Sequence, residues 1–148
     1  QRRSVLRIQP DRLVVVGDGP VEVAFGDTDA SGWMHFPNIF HYFEEAEHAF
    51  LKSRGLLVFA RDQGGWPRVK VSCDYKRPLL TGDRIEVLLG VSRVGNSSVT
   101  WDFEVLTSTG ELAASGSVTT VRVDREGKPQ PISDAERAVL ERSSSKAG

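Results

Sequence analysis

Two carboxylates two residues apart open the segment Asp27-Thr28-Asp29-Ala30-Ser31-Gly32, which lies between a short apolar alternation and the start of the only long helical pattern. A helix start presents unpaired backbone N–H groups and the positive end of the helix dipole, and a nearby carboxylate supplies a base or a nucleophile. Together they make half of a hydrolytic site. Taken alone, the same residues also describe a solvated turn, because Asp and Gly are common there.

The other residues able to do chemistry are fewer. His35 stands at the helix start, where a histidine more often packs or hydrogen-bonds than reacts. His41 and His48 fall near one helix face with no third ligand beside them, so no metal is expected. Glu44, Glu45 and Glu47 read as a solvated helix face, pairing with His48 or Lys52. Cys73 alternates with Val71 and Tyr75 and reads as a small buried strand residue, not a nucleophile.

These side chains need a frame. Leu13 to Val16 is a short apolar run, and Val21, Val23 and Phe25 then alternate as an opening strand would. The period changes at Ile39, Phe43, Ala46 and Phe50, widened by Phe40 and Leu51, which predicts a helix of about five turns. Pro37 fits its first turn, Gly55 its left-handed stop, and Lys52 and Arg54 its negative end. Leu56 to Ala60 is a connector or a brief helical turn, and Gln63-Gly64-Gly65 is a break.

Four strand patterns follow: Val69 to Tyr75, Ile85 to Val91, Val99 to Val105, and Leu112 to Val123. Turn signals at Thr81-Gly82-Asp83, Gly95-Asn96-Ser97 and Ser108-Thr109-Gly110 predict an antiparallel four-strand meander. Asp134 to Arg142 reads as a terminal helix, with Ser133 and Glu136 spaced as a capping box. Residues 143–148 read as a polar tail.

At 148 residues the chain is expected to form one α+β domain. Its 19 basic and 20 acidic residues give a net charge of −1, no general reason to expect a nucleic-acid partner. No apolar run approaches the roughly 20 residues of a membrane span. A lone cysteine suits a reducing cytoplasm, although a first residue of Gln1 leaves open whether a leader has been removed.

The order and spacing of several motifs resemble the hotdog-fold thioesterases of the 4-hydroxybenzoyl-CoA thioesterase type, over roughly residues 21–132. The most specific piece is Phe25-Gly-Asp-Thr-Asp-Ala-Ser-Gly32 followed by His35-Phe36-Pro37-Asn38. Asp74-Tyr75-Lys76-Arg77-Pro78, Thr81-Gly82-Asp83, Val123-Asp124 and Gly127-Lys128-Pro129 support it. The resemblance implies a curved antiparallel sheet wrapped around a central helix, and homodimers that pair again into tetramers. It also implies an acyl-CoA or acyl-carrier-protein thioester as substrate, and no cofactor.

By the same resemblance Asp29 is the catalytic carboxylate, Asp27 is not, and the backbone N–H of Phe36 polarises the carbonyl. Pro37 cannot donate, so the N–H groups of Asn38 and Ile39 are the other donors at hand. Asp29 acts either as general base or as nucleophile. Trp33, His35, Gly65 and Trp66 are the candidate substrate contacts, Gly65 and Trp66 lining the acyl pocket across the dimer. Lys76, Arg77, Arg93, Arg122, Arg125 and Lys128 are candidates for the phosphates of CoA.

The chain departs from this family's pattern in its rings: relatives often carry Tyr or His near the positions of His35 and Phe36, and smaller residues at Trp33 and Met34. Two other readings compete. One is a non-catalytic acyl-thioester binding protein. The other is a hotdog hydratase or dehydratase, suggested by His35-Phe36-Pro37 but lacking the Pro-Gly pattern that should follow.

Overall fold

The computed structural model describes residues 15–16, 19–56 and 63–145. Among these are six strands, β1 (Val15–Val16), β2 (Val21–Glu22), β3 (Arg68–Tyr75), β4 (Arg84–Val94), β5 (Ser98–Thr107) and β6 (Leu112–Val121), and two helices, α1 (Ile39–Ser53) and α2 (Asp134–Ser145). They form one antiparallel sheet in the order β1-β4-β5-β6-β3, with β2 also paired to β4. The predicted connector after Leu56 and most of the run before Val15 lie outside the described residues.

The period-four-and-three pattern produces α1 because it gathers Ile39, Tyr42, Phe43, Ala46 and Phe50 on one buried face. That face meets the sheet through rings: Phe43 lies 5.1 Å from Phe103 and 6.3 Å from Trp101, and Phe50 lies 5.8 Å from Trp101. The helix stops where expected. Gly55, at φ +82°, donates its N–H to the Lys52 carbonyl, and Leu56 donates to Leu51, the paired bonds of a left-handed C-cap. One long helix gripped by a curved antiparallel sheet is the hotdog arrangement.

The chain departs from the predicted meander at β3, which pairs with β6 and not with its neighbour in sequence, β4. Two constraints explain this. The outer edge of β4 is already taken by β1 and β2. In addition, Leu79 and Leu80 turn away to meet the loop before α1, where the Met34 N–H donates to Leu79 at 2.6 Å and Trp33 bridges Leu80. What reads as a hairpin turn is a crossover.

Other corrections follow from packing. The opening strand ends at Glu22: Val23 bonds to the Gly82–Asp83 turn, and Phe25 starts a 3-10 turn, Phe25–Asp27. Glu47 is not on a solvated face but is 3% exposed and held by both nitrogens of the Arg68 guanidinium. Burial pushes its carboxyl pKa up, and Arg68 opposes that rise. Cys73 is only half-buried, because β3 is an edge strand. Ser143 to Ser145 belong to α2, whose start has the expected capping box: Glu136 and Ser133 exchange bonds at 3.0 and 3.1 Å.

Gly116, in β6, sits where the sheet is tightest. A Cβ there would come 2.3 Å from the Ser72 carbonyl oxygen and 2.7 Å from the Phe103 ring. Gly116→Ala is therefore expected to cost about 1–3 kcal/mol through overpacking. It should show as an earlier thermal melt; an unchanged Tm would mean that β3 and Phe103 move aside freely.

Candidate active site

The segment between β2 and α1 folds back on itself. Asp29 and Trp33 are joined by an N–H to carbonyl bond of 3.0 Å, Gly32 donates to the Asp29 carbonyl at 2.9 Å, and Thr28 bridges Met34. This compact loop presents the Asp29 carboxylate outward. Its Oδ1 accepts the Ser31 backbone N–H at 2.9 Å and the Ser31 hydroxyl at 2.5 Å, while Oδ2 lies 3.3 Å from His35 Nδ1. The Ser31 hydroxyl, then the Ser31 N–H, hold the Asp29 pKa below the ordinary carboxylate value, with a smaller contribution from His35. Asp29 is thus an ionised acceptor at neutral pH.

Asp27 is employed differently. Its Oδ2 accepts the Tyr42 hydroxyl at 2.5 Å, and its carbonyl accepts the His35 N–H at 2.8 Å and the Asn38 side-chain amide at 3.0 Å. The Tyr42 oxygen in turn accepts the Ala24 N–H at 3.1 Å. Burial first, and the bond to Asp27 second, push the Tyr42 pKa up to about 12, so it stays a donor. Asp27 ties the loop to the helix.

The helix begins with a 3-10 turn, Phe36–Asn38. Two of the three donors named from the sequence are engaged there: Asn38 N–H donates to His35, and Ile39 N–H to the Phe36 and Pro37 carbonyls. Pro37 has none. Among the described residues the Phe36 N–H meets no acceptor, so one unengaged donor stands at the helix start. The Phe36 ring is 66% exposed.

Phe36 also lines a hollow of about 310 Å³, together with Trp33, Met34 and Ile39 from the loop and helix start and with Tyr75, Lys76, Arg77 and Leu79 from the end of β3 and the segment after it. Sequence reasoning missed Tyr75 as a site residue, taking it for one more alternating strand position. Its hydroxyl donates to the Phe36 carbonyl at 2.6 Å. Only its place in the Asp-Tyr-Lys-Arg-Pro motif pointed that way. A second hollow, about 230 Å³, lies between Asn38, His41 and Glu44 of the helix and Arg68 and Val71 of β3.

The structure thus brings Asp29, Trp33, His35 and Phe36 onto one loop and helix start. Gly65 and Trp66 lie elsewhere: Gly65 pairs with Val123, and the Trp66 ring lies 5.5 Å from the Arg122 guanidinium. Burial raises the Cys73 pKa, as suits an unreactive thiol. No group of three or more His, Cys, Asp or Glu among the described residues could hold a metal ion. No helix among them is long and apolar enough to cross a membrane.

Residues 23–141 match the profile of the Thioesterase-like superfamily. Over 87 residues the chain is 32% identical to a 1,4-dihydroxy-2-naphthoyl-CoA hydrolase of Synechococcus elongatus, a match covering 56% of this chain and 64% of that one. The chain therefore spans just under two-thirds of that relative's length. A solved gentisyl-coenzyme A thioesterase is similar at a TM-score of 0.75 and 28% identity, over 82% of this chain and 97% of that one. A 1,4-dihydroxy-2-naphthoyl-CoA thioesterase from Synechocystis shares the fold at a TM-score of 0.75 and 23% identity, over 82% and 92% of the two chains.

The Ser31 bonds make a prediction about Asp29 that needs no substrate. Ser31→Ala removes the hydroxyl that does most to depress the Asp29 pKa, so the carboxyl titration followed by carbon NMR should move upward. A midpoint that stays in place would show that the hydroxyl does not set it.

Proposed function

Because the chain belongs to the Thioesterase-like superfamily, we propose that it hydrolyses an acyl-CoA thioester, with Asp29 as base or nucleophile and the Phe36 N–H as the carbonyl-polarising donor. The observation that carries this reading is the pairing of an ionised, outward-facing carboxylate with an unengaged amide at the end of the same loop.

Each residue has a task in the reaction. As water adds to the thioester carbon, negative charge grows on the carbonyl oxygen. A preorganised N–H there is worth about 2.7–4 kcal/mol when its loss is measured. The positive end of α1 adds to that field. With Asp29 as general base, the carboxylate takes a proton from the attacking water, the C–S bond breaks, and the CoA sulfur leaves as thiolate and is then protonated. With Asp29 as nucleophile, a carboxylate oxygen attacks, the thiolate leaves a mixed anhydride, and water cleaves that to free acid and restored Asp29.

The 310 Å³ hollow is the place we assign to the group next to the carbonyl, with Trp33 and Met34 shaping it and His35 orienting Asp29. The relatives named for dihydroxynaphthoyl-CoA and gentisyl-CoA make aromatic acyl groups the first to try. We place the protein in a reducing compartment, the cytoplasm, on the strength of its single cysteine.

The working unit we propose is a homodimer joined along β3. Among the described residues that strand pairs with β6 alone, and its Val69 and Val71 are 59% and 48% exposed. Sedimentation as a monomer at micromolar concentration would remove this proposal.

Thiol release from acetyl-, hexanoyl-, benzoyl- and phenylacetyl-CoA tests the activity. Asp29→Asn keeps the shape and loses the basicity, so turnover of the best substrate should fall by about 10²–10⁴-fold with the fold intact. Near-normal hydrolysis by that variant would sink the assignment. A single turnover of wild type in ¹⁸O-water at enzyme excess tests for the anhydride: label in the Asp29 carboxylate means a nucleophile whose anhydride opens at the aspartyl carbonyl, whereas label in the product acid alone is what a base gives and also what an anhydride opened at its acyl carbonyl gives.

A further inference from the structure

Resting on that assignment of the Phe36 amide, we propose that Tyr75 is a positioning residue for it: the Tyr75 hydroxyl holds the Phe36 carbonyl at 2.6 Å and so restrains rotation at the Phe36 Cα, the joint between that carbonyl and the N–H of the same residue. A donor reserved for substrate is, by that fact, tied to no protein acceptor. Its residue must be fixed by other bonds. On the loop side that is done through residue 35, whose N–H donates to the Asp27 carbonyl at 2.8 Å and whose carbonyl, in the same peptide plane as the Phe36 N–H, accepts the Asn38 N–H at 2.9 Å. On the hollow side the carbonyl of residue 36 is the handle, and Tyr75 grips it.

The anchor is well chosen mechanically. Tyr75 is the last residue of β3 and pairs with Ala114 of β6, so its backbone is fixed by the sheet and not by the loop it restrains. Immediately afterwards Lys76 and Arg77 both donate to the Ala113 carbonyl of β6, at 2.8 and 3.1 Å, which carries the attachment to that strand past the end of β3. Tyr75 lies 39 positions along the chain from Phe36, so no local preference brings them together. Burial pushes the Tyr75 pKa up to about 12, which keeps the hydroxyl a donor throughout the working pH range.

The Phe36 carbonyl also receives the Ile39 N–H, so the turn closes without Tyr75. The tyrosine therefore adds orientation to a turn that already forms. Orientation errors matter more for rate than for binding: a misplacement of about 1 Å can cost on the order of 10²-fold.

Tyr75→Phe keeps the ring in the wall of the hollow and removes only the hydroxyl. With the most active acyl-CoA of the four-member panel, kcat should fall by about tenfold while KM changes by less than about twofold. A spectroscopic readout separates positioning from mere structure. That acyl-CoA, labelled with ¹³C at its carbonyl, is bound to Asp29→Asn, and the downshift of the C=O stretch relative to water reports polarisation by the amide. In Asp29→Asn/Tyr75→Phe the downshift should shrink.

A full downshift together with a wild-type kcat in Tyr75→Phe would overturn the proposal while leaving the Phe36 assignment standing. No downshift in Asp29→Asn itself would overturn both. Should Tyr75→Phe melt earlier, the stretch is read below both melting transitions, and a full downshift there still overturns the proposal.

Discussion

The bond from Tyr42 to Asp27 is the constraint on which the site depends. It joins an exposed loop, which has little packing of its own, to a helix gripped by the aromatic core at Phe43 and Phe50. A hydrogen bond to a carboxylate contributes about 1.5–3 kcal/mol, roughly twice what a neutral bond supplies. Asp27 then passes that restraint on through its carbonyl, which collects His35 and Asn38. The two aspartates of the motif are alike in type and opposite in use. Asp27 is consumed in architecture, and Asp29 is left outward with only Ser31 and His35 upon it.

The form of the helix start decides how many donors reach the solvent side. An α-helix leaves its first four N–H groups without intrahelical partners. Here a 3-10 turn precedes the helix, and its tighter bonding engages Asn38 and Ile39 early, while Pro37 contributes no N–H at all. What remains at that end is the single amide of Phe36. Proline in this place is thus more than a good first-turn residue. It removes a competing donor and fixes the backbone next to the one that stays.

Periodicity made α1, the cores of β3 to β6 and the capping box of α2 legible, because each is a local pattern with a local cause. The chain's path was harder to read. Thr81-Gly82-Asp83 has the composition of a hairpin turn, and nothing local records that Leu79 and Leu80 are wanted by Trp33 and Met34 instead. Glu47 was misread for a similar reason: its partner Arg68 lies 21 residues away, and only their meeting makes burial of a carboxylate tolerable. At the site, the Asp29 motif could be read because one loop carries it. The bond from Tyr75 to Phe36 could not, since it exists only when β3 closes against the helix start.

In the proposed reaction, charge stabilisation at Phe36 depends on what excludes water from it. The same amide is worth far more in a dry, low-dielectric site than in solvent. In the single chain, however, Trp33, Phe36 and Tyr75 form an exposed apolar group around it. Such a patch on a charged, otherwise polar surface marks a face meant to be covered. In the proposed reaction the acyl group can cover the hollow itself, whose lining includes Trp33 and Tyr75. It cannot reach Val69 and Val71 on the same strand, which need a larger partner. In the proposed homodimer a second copy laid along β3 would cover these, and Val71 also lines the polar hollow at Glu44 and Arg68. The cover that stabilises the sheet edge would then also dry the approach to the helix start, tying the dielectric of the reaction to assembly.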